Sequence, residues 1–303
     1  MSKTIVVPLI PPRLDASRVT ARALPVARAL ARRGNRRVVL VTVIQMPREY
    51  VALASALGLD PAARADWVHE RRQYLEQVAA TFPESDVTVE VRIGDPATEL
   101  LELAGALDDP VVVMASHAET GLTRILVGSV AFRVVHEATW PVIVVPAHTE
   151  VDIDGVARLE RILVPLDGSR TGEEVLDAVL ALLGPQGLDL RLLHVIEPPI
   201  DFPKRAHESY LQQGQEWATT YLGEIAQRLS PQGVSARTEV RIGRAAEEIQ
   251  HAAREHGIDL LAMATHGRRG VQRLVFGSVV ERVLHEVRVP LLLHRPTEPE
   301  HGG

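Results

Sequence analysis

Two short stretches in the second half of the chain combine residue types that could hold a phosphorylated ligand. Leu166-Asp167-Gly168-Ser169 follows one apolar run, Ala264-Thr265-His266-Gly267 follows another, and Gly277-Ser278 then opens a helical stretch. Glycine lets backbone N–H groups approach a ligand closely, and the N-terminus of a helix attracts an anion. The residue types at these positions therefore suit a phosphate group.

Each stretch also has an explanation that needs no ligand. Ser278 and Glu281 have the S-x-x-E spacing of a capping box, and Asp167 or Ser169 could simply cap the helix that contains Gly172. A ligand site is favoured because the two stretches follow different strands. In an open α/β sheet, such turns meet outside the carboxyl ends of the strands.

The chain repeats itself, and the repeat identifies the elements that position these turns. Residues 126–137 recur as residues 275–286, so that Gly128 corresponds to Gly277 at an offset of 277 − 128 = 149. Nearer the start, Pro8 corresponds to Pro165 at a larger offset, because the first copy carries the extra residues Ile10 to Leu14. We therefore predict two domains, 1–147 and 158–297, with a polar and acidic linker from about Ala147 to Glu160.

Each copy alternates short apolar runs with helical stretches. Continuous apolar strands separated by helices predict a parallel sheet that is covered on both faces, which makes each copy a five-stranded doubly wound α/β domain. In the second copy the predicted strands are Ile162–Leu166, Leu188–Ile196, Val234–Ile242, Asp259–Ala264 and Pro290–His294.

Composition and missing motifs exclude several classes of function. The net charge is −6 with acidic and basic residues mixed along the chain, which argues against a nucleic-acid partner. The chain has no cysteine for disulfides, thiolate catalysis or thiolate metal sites. The N-terminal apolar run Ile5 to Ile10 is too short for a membrane span, so we expect a cytoplasmic protein with no membrane partner.

Catalytic signals are weak. The sequence contains neither a Walker motif, G-x-x-x-x-G-K-[ST], nor G-x-G-x-x-G after a first strand. His117 and His266 occupy equivalent turns, but neither motif supplies a nucleophile or an orienting acid. We interpret both as hydrogen-bonding turn residues, and we expect no catalytic residue, no metal site made of protein ligands, and at most weak ATPase activity.

The chain resembles the universal stress protein family in its tandem, two-domain form, and the second copy carries the clearer signature. The family signature is a small residue, two further residues, glycine, a nine-residue spacer and then Gly-Ser or Gly-Thr. Here these positions are Ala264, Gly267, Gly277 and Ser278, and the start of the copy, Ile162 to Ser169, is equally typical. The resemblance covers both copies almost end to end. It implies a Rossmann-like, adenine nucleotide alpha hydrolase-like fold, with the domains related by a pseudo-two-fold axis.

The resemblance also implies how an adenine nucleotide would be held, as in relatives that bind ATP. The adenosine part would meet Pro165, Leu166, Asp167 and Val195. The phosphates would meet Gly267, Gly277, Ser278, Val279 and the charge of Arg268 or Arg269. The implied role is that of an ATP-binding regulator or sensor in the stress response, and the sequence leaves open whether Mg²⁺ accompanies the nucleotide.

The first copy matches this pattern less completely. The equivalent positions there are Pro8, Ala115, Gly128 and Ser129. Ile10-Pro11-Pro12 stands where an acidic turn would be expected, and Ala118 replaces the counterpart of Gly267. If that backbone position needs φ > 0, an alanine there is strained by roughly 1 kcal/mol or more. We therefore predict a degenerate nucleotide site in the first copy.

We also expect the chain to associate through the edges of its sheets, and two alternative functions stay open. The last strands, Val142 to Val145 and Leu291 to Leu293, are predicted at sheet edges, where an exposed apolar strand invites pairing. We expect the two copies to join through these strands, as relatives do, and the whole chain to form a homodimer. An ATP hydrolase that uses the same crevice and a nucleotide-free interaction scaffold stay open as alternatives.

Overall fold

The computed structural model describes residues 4–12, 14, 18–34, 36–45, 61–82, 85–116, 128–198, 204–265 and 277–296. The fold divides into two compact units, of which the first ends at Ala157 and the second begins at Arg158. Each unit has five strands and its own apolar core, and each is described by itself below.

The first unit is a parallel sheet with the strand order β3-β2-β1-β4-β5. Its strands are β1 Thr4–Pro8, β2 Arg37–Ile44, β3 Val87–Ile93, β4 Pro110–Ala115 and β5 Val142–Val145. Its helices are a 3₁₀ turn Thr20–Ala23, α1 Leu24–Arg32, α2 Pro61–Ala79, α3 Pro96–Gly105 and α4 Ser129–Glu137.

The second unit repeats this topology, with the strand order β8-β7-β6-β9-β10. Its strands are β6 Arg161–Pro165, β7 Asp189–Ile196, β8 Ser235–Ile242, β9 Leu260–Ala264 and β10 Leu291–His294. Its helices are α5 Arg170–Leu183, α6 Lys204–Leu229, a 3₁₀ turn Ser230–Gln232, α7 Ala245–Glu255 and α8 Ser278–Glu286.

The central strands are apolar without alternation because helices cover the sheet on both faces. Ile162 and Leu163 are fully buried in the second unit, and Ile5 and Val6 are fully buried in the first. Every strand pair within each unit is parallel. Each unit is thus a five-stranded doubly wound sheet, which confirms the fold class predicted from the sequence.

The segment before the second unit is fastened to the first unit by a buried arginine of α1. Arg28 Nη1 donates to the carbonyl oxygens of Ile153 (2.6 Å) and Gly155 (3.0 Å), and Nη2 donates to Thr81 Oγ1 (2.9 Å). The guanidinium also lies 5.4 Å from the ring centroid of Phe82. Two more hydrogen bonds hold this segment, from Arg22 Nη1 to Thr149 O (2.6 Å) and from Ala157 N–H to Pro25 O (3.0 Å).

Candidate functional site

The turn after β6 is fixed by the side chain of its own aspartate. Leu166 N–H donates to Leu193 O (2.8 Å) and so prolongs the pairing of β6 with β7. Asp167 Oδ1 then accepts hydrogen bonds from the N–H (3.0 Å) and Oγ (2.6 Å) of Ser169. Gly168 lies between them at φ +87°, a left-handed conformation that glycine adopts without a Cβ penalty. The half-buried carboxylate is therefore held in one orientation at the carboxyl end of the sheet.

Ser169 in turn caps α5. Its Oγ accepts the N–H of Gly172 (3.0 Å), which satisfies one of the free amides of the first helical turn. A Cβ on Gly172 would lie 2.8 Å from Asp167 Oδ1, so this close approach requires glycine. The capping explanation is thus correct for Ser169, whereas Asp167 acts by orienting Ser169.

A histidine from the neighbouring strand supports the same turn. His194 Nδ1 lies 2.7 Å from Leu166 O, so both polar backbone groups of Leu166 have partners within the protein. For a nucleotide, Leu166 therefore offers only the second lone pair of its carbonyl oxygen. Val195, the next residue of β7, is half-buried, as is Pro165 at the end of β6.

Two aromatic residues of α6 pack on this histidine. The ring centroid of His194 lies 5.2 Å from that of Trp217 and 6.4 Å from that of Tyr221, edge to face in both cases. Trp217 stacks on Tyr221 with centroids 5.1 Å apart and remains 43% exposed. Burial, followed by the negative charge of Glu173, raises the pKa of the Tyr221 hydroxyl. These residues are absent from the predicted site because their one signal in the sequence is an aromatic pair at positions i and i+4 of a helical stretch.

The second half of the site is the start of α8. Gly277 is the N-cap residue, at φ −57° and ψ 141°, with no side-chain cap, and its N–H donates to Thr265 O (3.3 Å). That bond docks the helix start against the residue that follows β9. The capping box predicted for Ser278 and Glu281 is wrong, because Ser278 is already the first helical residue.

The described fold does not explain why residue 277 is glycine. Its φ is in the ordinary range, and an added Cβ would meet only Thr265 O, at 4.0 Å, among the described residues. Ser278 is exposed and Val279 half-buried. The amide of Gly277 is engaged by Thr265, whereas the N–H groups of Ser278, Val279 and Val280 have no backbone partner among the described residues and are available for an anion.

The two halves of the site belong to neighbouring strands. β6 and β9 pair side by side, with Ile162 opposite Leu260 and Leu163 opposite Leu261. Strand order reverses between these two strands, and ligands of doubly wound sheets bind outside the carboxyl ends at that point. Ala264, the half-buried last residue of β9, leaves only a methyl group there. Gly267, Arg268, Arg269 and the two turn histidines lie outside the described residues.

The equivalent edge of the first unit is built differently. Ile10 stands where the second unit has Asp167, and its N–H donates to Thr20 Oγ1 (3.0 Å), which donates back to Ile10 O (3.3 Å). The Ile10 side chain is 38% exposed. Pro8 is half-buried and Ala115 buried, while Gly128 caps α4 without a side-chain bond and Ser129 is exposed. Ala118 lies outside the described residues.

The described residues show neither a cluster of metal ligands nor a helix that could span a membrane. In that part of the chain, no group of three or more histidine, aspartate or glutamate side chains could hold a metal ion. No helix there combines the length and the apolar character that crossing a bilayer demands.

Known proteins resemble the chain along nearly all of its length. A family model described as the universal stress protein family matches residues 1–146 and again residues 158–295. Universal stress protein Slr1230 of Synechocystis is 23% identical over 300 residues, covering 93% of this chain and 97% of that protein. Universal stress protein Rv2005c of Mycobacterium tuberculosis is 27% identical over 219 residues, or 69% of each. The crystal structure of a universal stress protein from Archaeoglobus fulgidus matches with a TM-score of 0.66 at 20% identity, covering 97% of this chain and 96% of that one, and so supports the fold alone.

Proposed function

This chain belongs to the universal stress protein family, and we propose that its second unit binds ATP at the carboxyl ends of β6 and β9, with a regulatory outcome. One observation carries the proposal. Strand order reverses between β6 and β9. An oriented carboxylate follows β6, and the start of a helix docks on the residue that follows β9. An uncapped helix start at a topological switch point favours a phosphate group.

The chemistry of the described side chains suits the parts of the nucleotide. The amides of Ser278 and Val279, which no described residue engages, would bind phosphate oxygens together with the positive end of α8. Asp167 keeps its carboxylate at the mouth of the sheet, where it would accept hydrogen bonds from ribose hydroxyls. Val195 and Pro165 supply apolar surface for the base. Gly267 and Arg268 are further predicted phosphate contacts.

The first unit should bind ATP weakly or not at all. Its counterpart of Asp167 is Ile10, whose side chain has no atom that could accept a hydrogen bond from a ribose hydroxyl. Thr20 also bonds both polar backbone groups of Ile10. We expect one nucleotide per chain, bound by the second unit.

The proposed outcome of binding is regulation, with slow turnover at most. In the described part of the mouth, the carboxylate of Asp167 already holds the turn, and no lysine is present to offset charge on a leaving phosphate. If Mg²⁺ enters, the phosphates of the nucleotide would hold most of its coordination shell. The homodimer and the cytoplasmic location stay predictions from the sequence.

Titration calorimetry with ATP on the purified full chain tests the proposal, using the parent, Gly277→Glu and Gly128→Glu. The described residues leave room for a Cβ at residue 277, and an acidic group at a helix start is favourable for folding. The new carboxylate would repel phosphate, by between about 1 and 4 kcal/mol per pair of unit charges at ~4 Å. We expect the parent to bind one ATP, Gly277→Glu to bind about tenfold more weakly or worse, and Gly128→Glu to match the parent.

Two outcomes contradict the proposal: no ATP binding by the parent, or equal binding by the parent and Gly277→Glu. A thermal melt gives an independent check, since ATP at about 100 times Kd should stabilise a binder by ~2.7 kcal/mol. A ligand-free scaffold would show no such shift. Fast phosphate release that Asp167→Ala abolishes would instead favour an ATP hydrolase.

A further inference from the structure

The second unit contains a cavity at the opposite end of its sheet from the proposed nucleotide site. The cavity has a volume of about 190 Å³ and lies between α7 and α8, beside the residues that lead into β9 and β10. Its apolar lining includes Ala253, Ile258, Val287 and Val289. Because these residues precede the strands, the cavity faces the amino ends of the sheet.

The first unit fills the equivalent space with an indole ring. At the repeat offset, the counterpart of Val289 is Trp140, and the counterpart of Arg254 is Gly105. A Cβ on Gly105 would lie 3.6 Å from Trp140 Cη2, so the indole packs directly over that glycine. Trp140 Nε1 is buried with no hydrogen-bond partner, which indicates that the ring fills volume there. The second unit has the smaller Val289 in place of this indole plug, and the space beside it is open.

Positive charge accompanies the lost indole. Arg254 and Arg288 both line the cavity, where the first unit has Gly105 and Thr139. Neither guanidinium has a hydrogen bond or ion pair to another described residue. The one acid in the lining, Glu286, is engaged through Oε2, which accepts a hydrogen bond from Gln250 Nε2 (2.6 Å).

We infer that this cavity is a second ligand site, specific to the second unit, for a small aromatic carboxylate. The missing indole sets the size and flatness of the group that fits, and the apolar lining would bury it. The two guanidiniums, which favour planar carboxylates as bidentate partners, would hold the charged end at the rim. The site is independent of the nucleotide site, because it lies at the other end of the strands and shares no residue with it.

Three probes separate the parts of this inference when titrated into the full chain: indole-3-carboxylate, neutral indole and inorganic phosphate. We expect one molecule of indole-3-carboxylate to bind at least about tenfold more tightly than indole, because the charge-assisted hydrogen bonds are lost with the neutral probe. Phosphate, which has no apolar body, should not displace it.

Variants copied from the first unit locate the site. Arg288→Thr should weaken indole-3-carboxylate about tenfold and leave indole unchanged. The double variant Arg254→Gly with Val289→Trp rebuilds the indole plug and should abolish binding of both probes. Arg282→Thr removes an exposed arginine of α8 that does not line the cavity, and it should bind as the parent does. Circular dichroism and urea denaturation confirm that each variant is folded.

The inference is overturned if the parent binds no indole-3-carboxylate, if phosphate competes equally well, or if the plugged double variant retains the parent's affinity. None of these results depends on ATP binding, so failure here leaves the nucleotide proposal standing. Likewise, failure of the ATP titrations would leave the inference about this cavity standing.

Discussion

Replacing Arg28 with methionine measures how strongly the segment before the second unit is held on the first. Arg28 is only 5% exposed, and its three hydrogen bonds reach Ile153 O, Gly155 O and Thr81 Oγ1. Hydrogen bonds from a charged donor contribute about 1.5 to 3 kcal/mol each. Their sum is the upper limit of the loss that the substitution can cause.

Two effects reduce that limit. Burial lowers the pKa of the Arg28 guanidinium, although Asp154 and Asp152 oppose the shift, so the buried cation carries a desolvation cost that methionine removes. Ile153 and Gly155 are half-buried, so their carbonyl groups can turn to water once the arginine is gone. The methionine stem would also keep contact with Phe82. We expect a net loss of about 2 to 3 kcal/mol.

Urea denaturation of the full chain in a Trp217→Phe background isolates the first unit, because Trp67 and Trp140 then report alone. The tryptophan fluorescence then follows the first unit alone, and its unfolding midpoint should move to lower urea in Arg28→Met. Arg32→Met is the matched control, since Arg32 is exposed on the same helix. Cleavage by a protease within residues 150–157 should also become faster in Arg28→Met. Equal midpoints and equal cleavage rates for the two variants would refute the reasoning.

Three smaller predictions concern one helix cap and two glycines. Asp95 caps α3 by accepting from Thr98 N–H (3.0 Å) and Oγ1 (2.7 Å), and these bonds lower its pKa, so Asp95→Ala should cost about 1 kcal/mol in urea. The pKa of this carboxyl in the folded protein lies below its ordinary value of 3.8. The difference in free energy of unfolding between Asp95→Ala and the parent should therefore be greatest near neutral pH and disappear as acid protonates the folded carboxyl. Gly168→Ala should cost about 1 kcal/mol through its φ of +87° and also weaken ATP binding. Gly223→Ala, in an open position of α6, should instead add about 0.5 to 1 kcal/mol and leave ATP binding unchanged, as melts and titrations can check.

The internal repeat made it possible to predict the fold from the sequence, because the same order of strands and helices occurs twice and few topologies accommodate it. The N-cap residues of the helices were harder to predict. Ser169 caps α5 as its residue type predicts, but the start of α8 lies one residue earlier than the capping box requires. Gly277 O already accepts the N–H of Glu281, so Ser278 is inside the helix and cannot act as its cap. A one-residue shift of this kind depends on how the helix docks on Thr265, which local propensity does not encode.

Features that join distant residues were outside the reach of sequence patterns. Arg28 binds carbonyl groups more than a hundred positions away, and composition alone described those residues as a linker. His194 supports Leu166 O from the next strand, and no motif connects it with the aromatic pair on α6. Such contacts follow from the register of the strands and the packing of helices on them.

The two units show that one framework can keep or lose a site through a few side chains. In the first unit, Thr20 bonds the backbone where the second unit has Asp167, and Trp140 occupies the space that the second unit leaves open beside Arg254. The first unit thus has Ile10 and Trp140 at the two positions where the second unit has an acid and an open space lined by two guanidiniums. Since the central strands β1, β4, β6 and β9 are apolar in both units, the cores of the sheets do not require this asymmetry. It is what one expects if ligand binding is concentrated in the second unit, and the plugged variant together with Gly277→Glu tests the two ends separately.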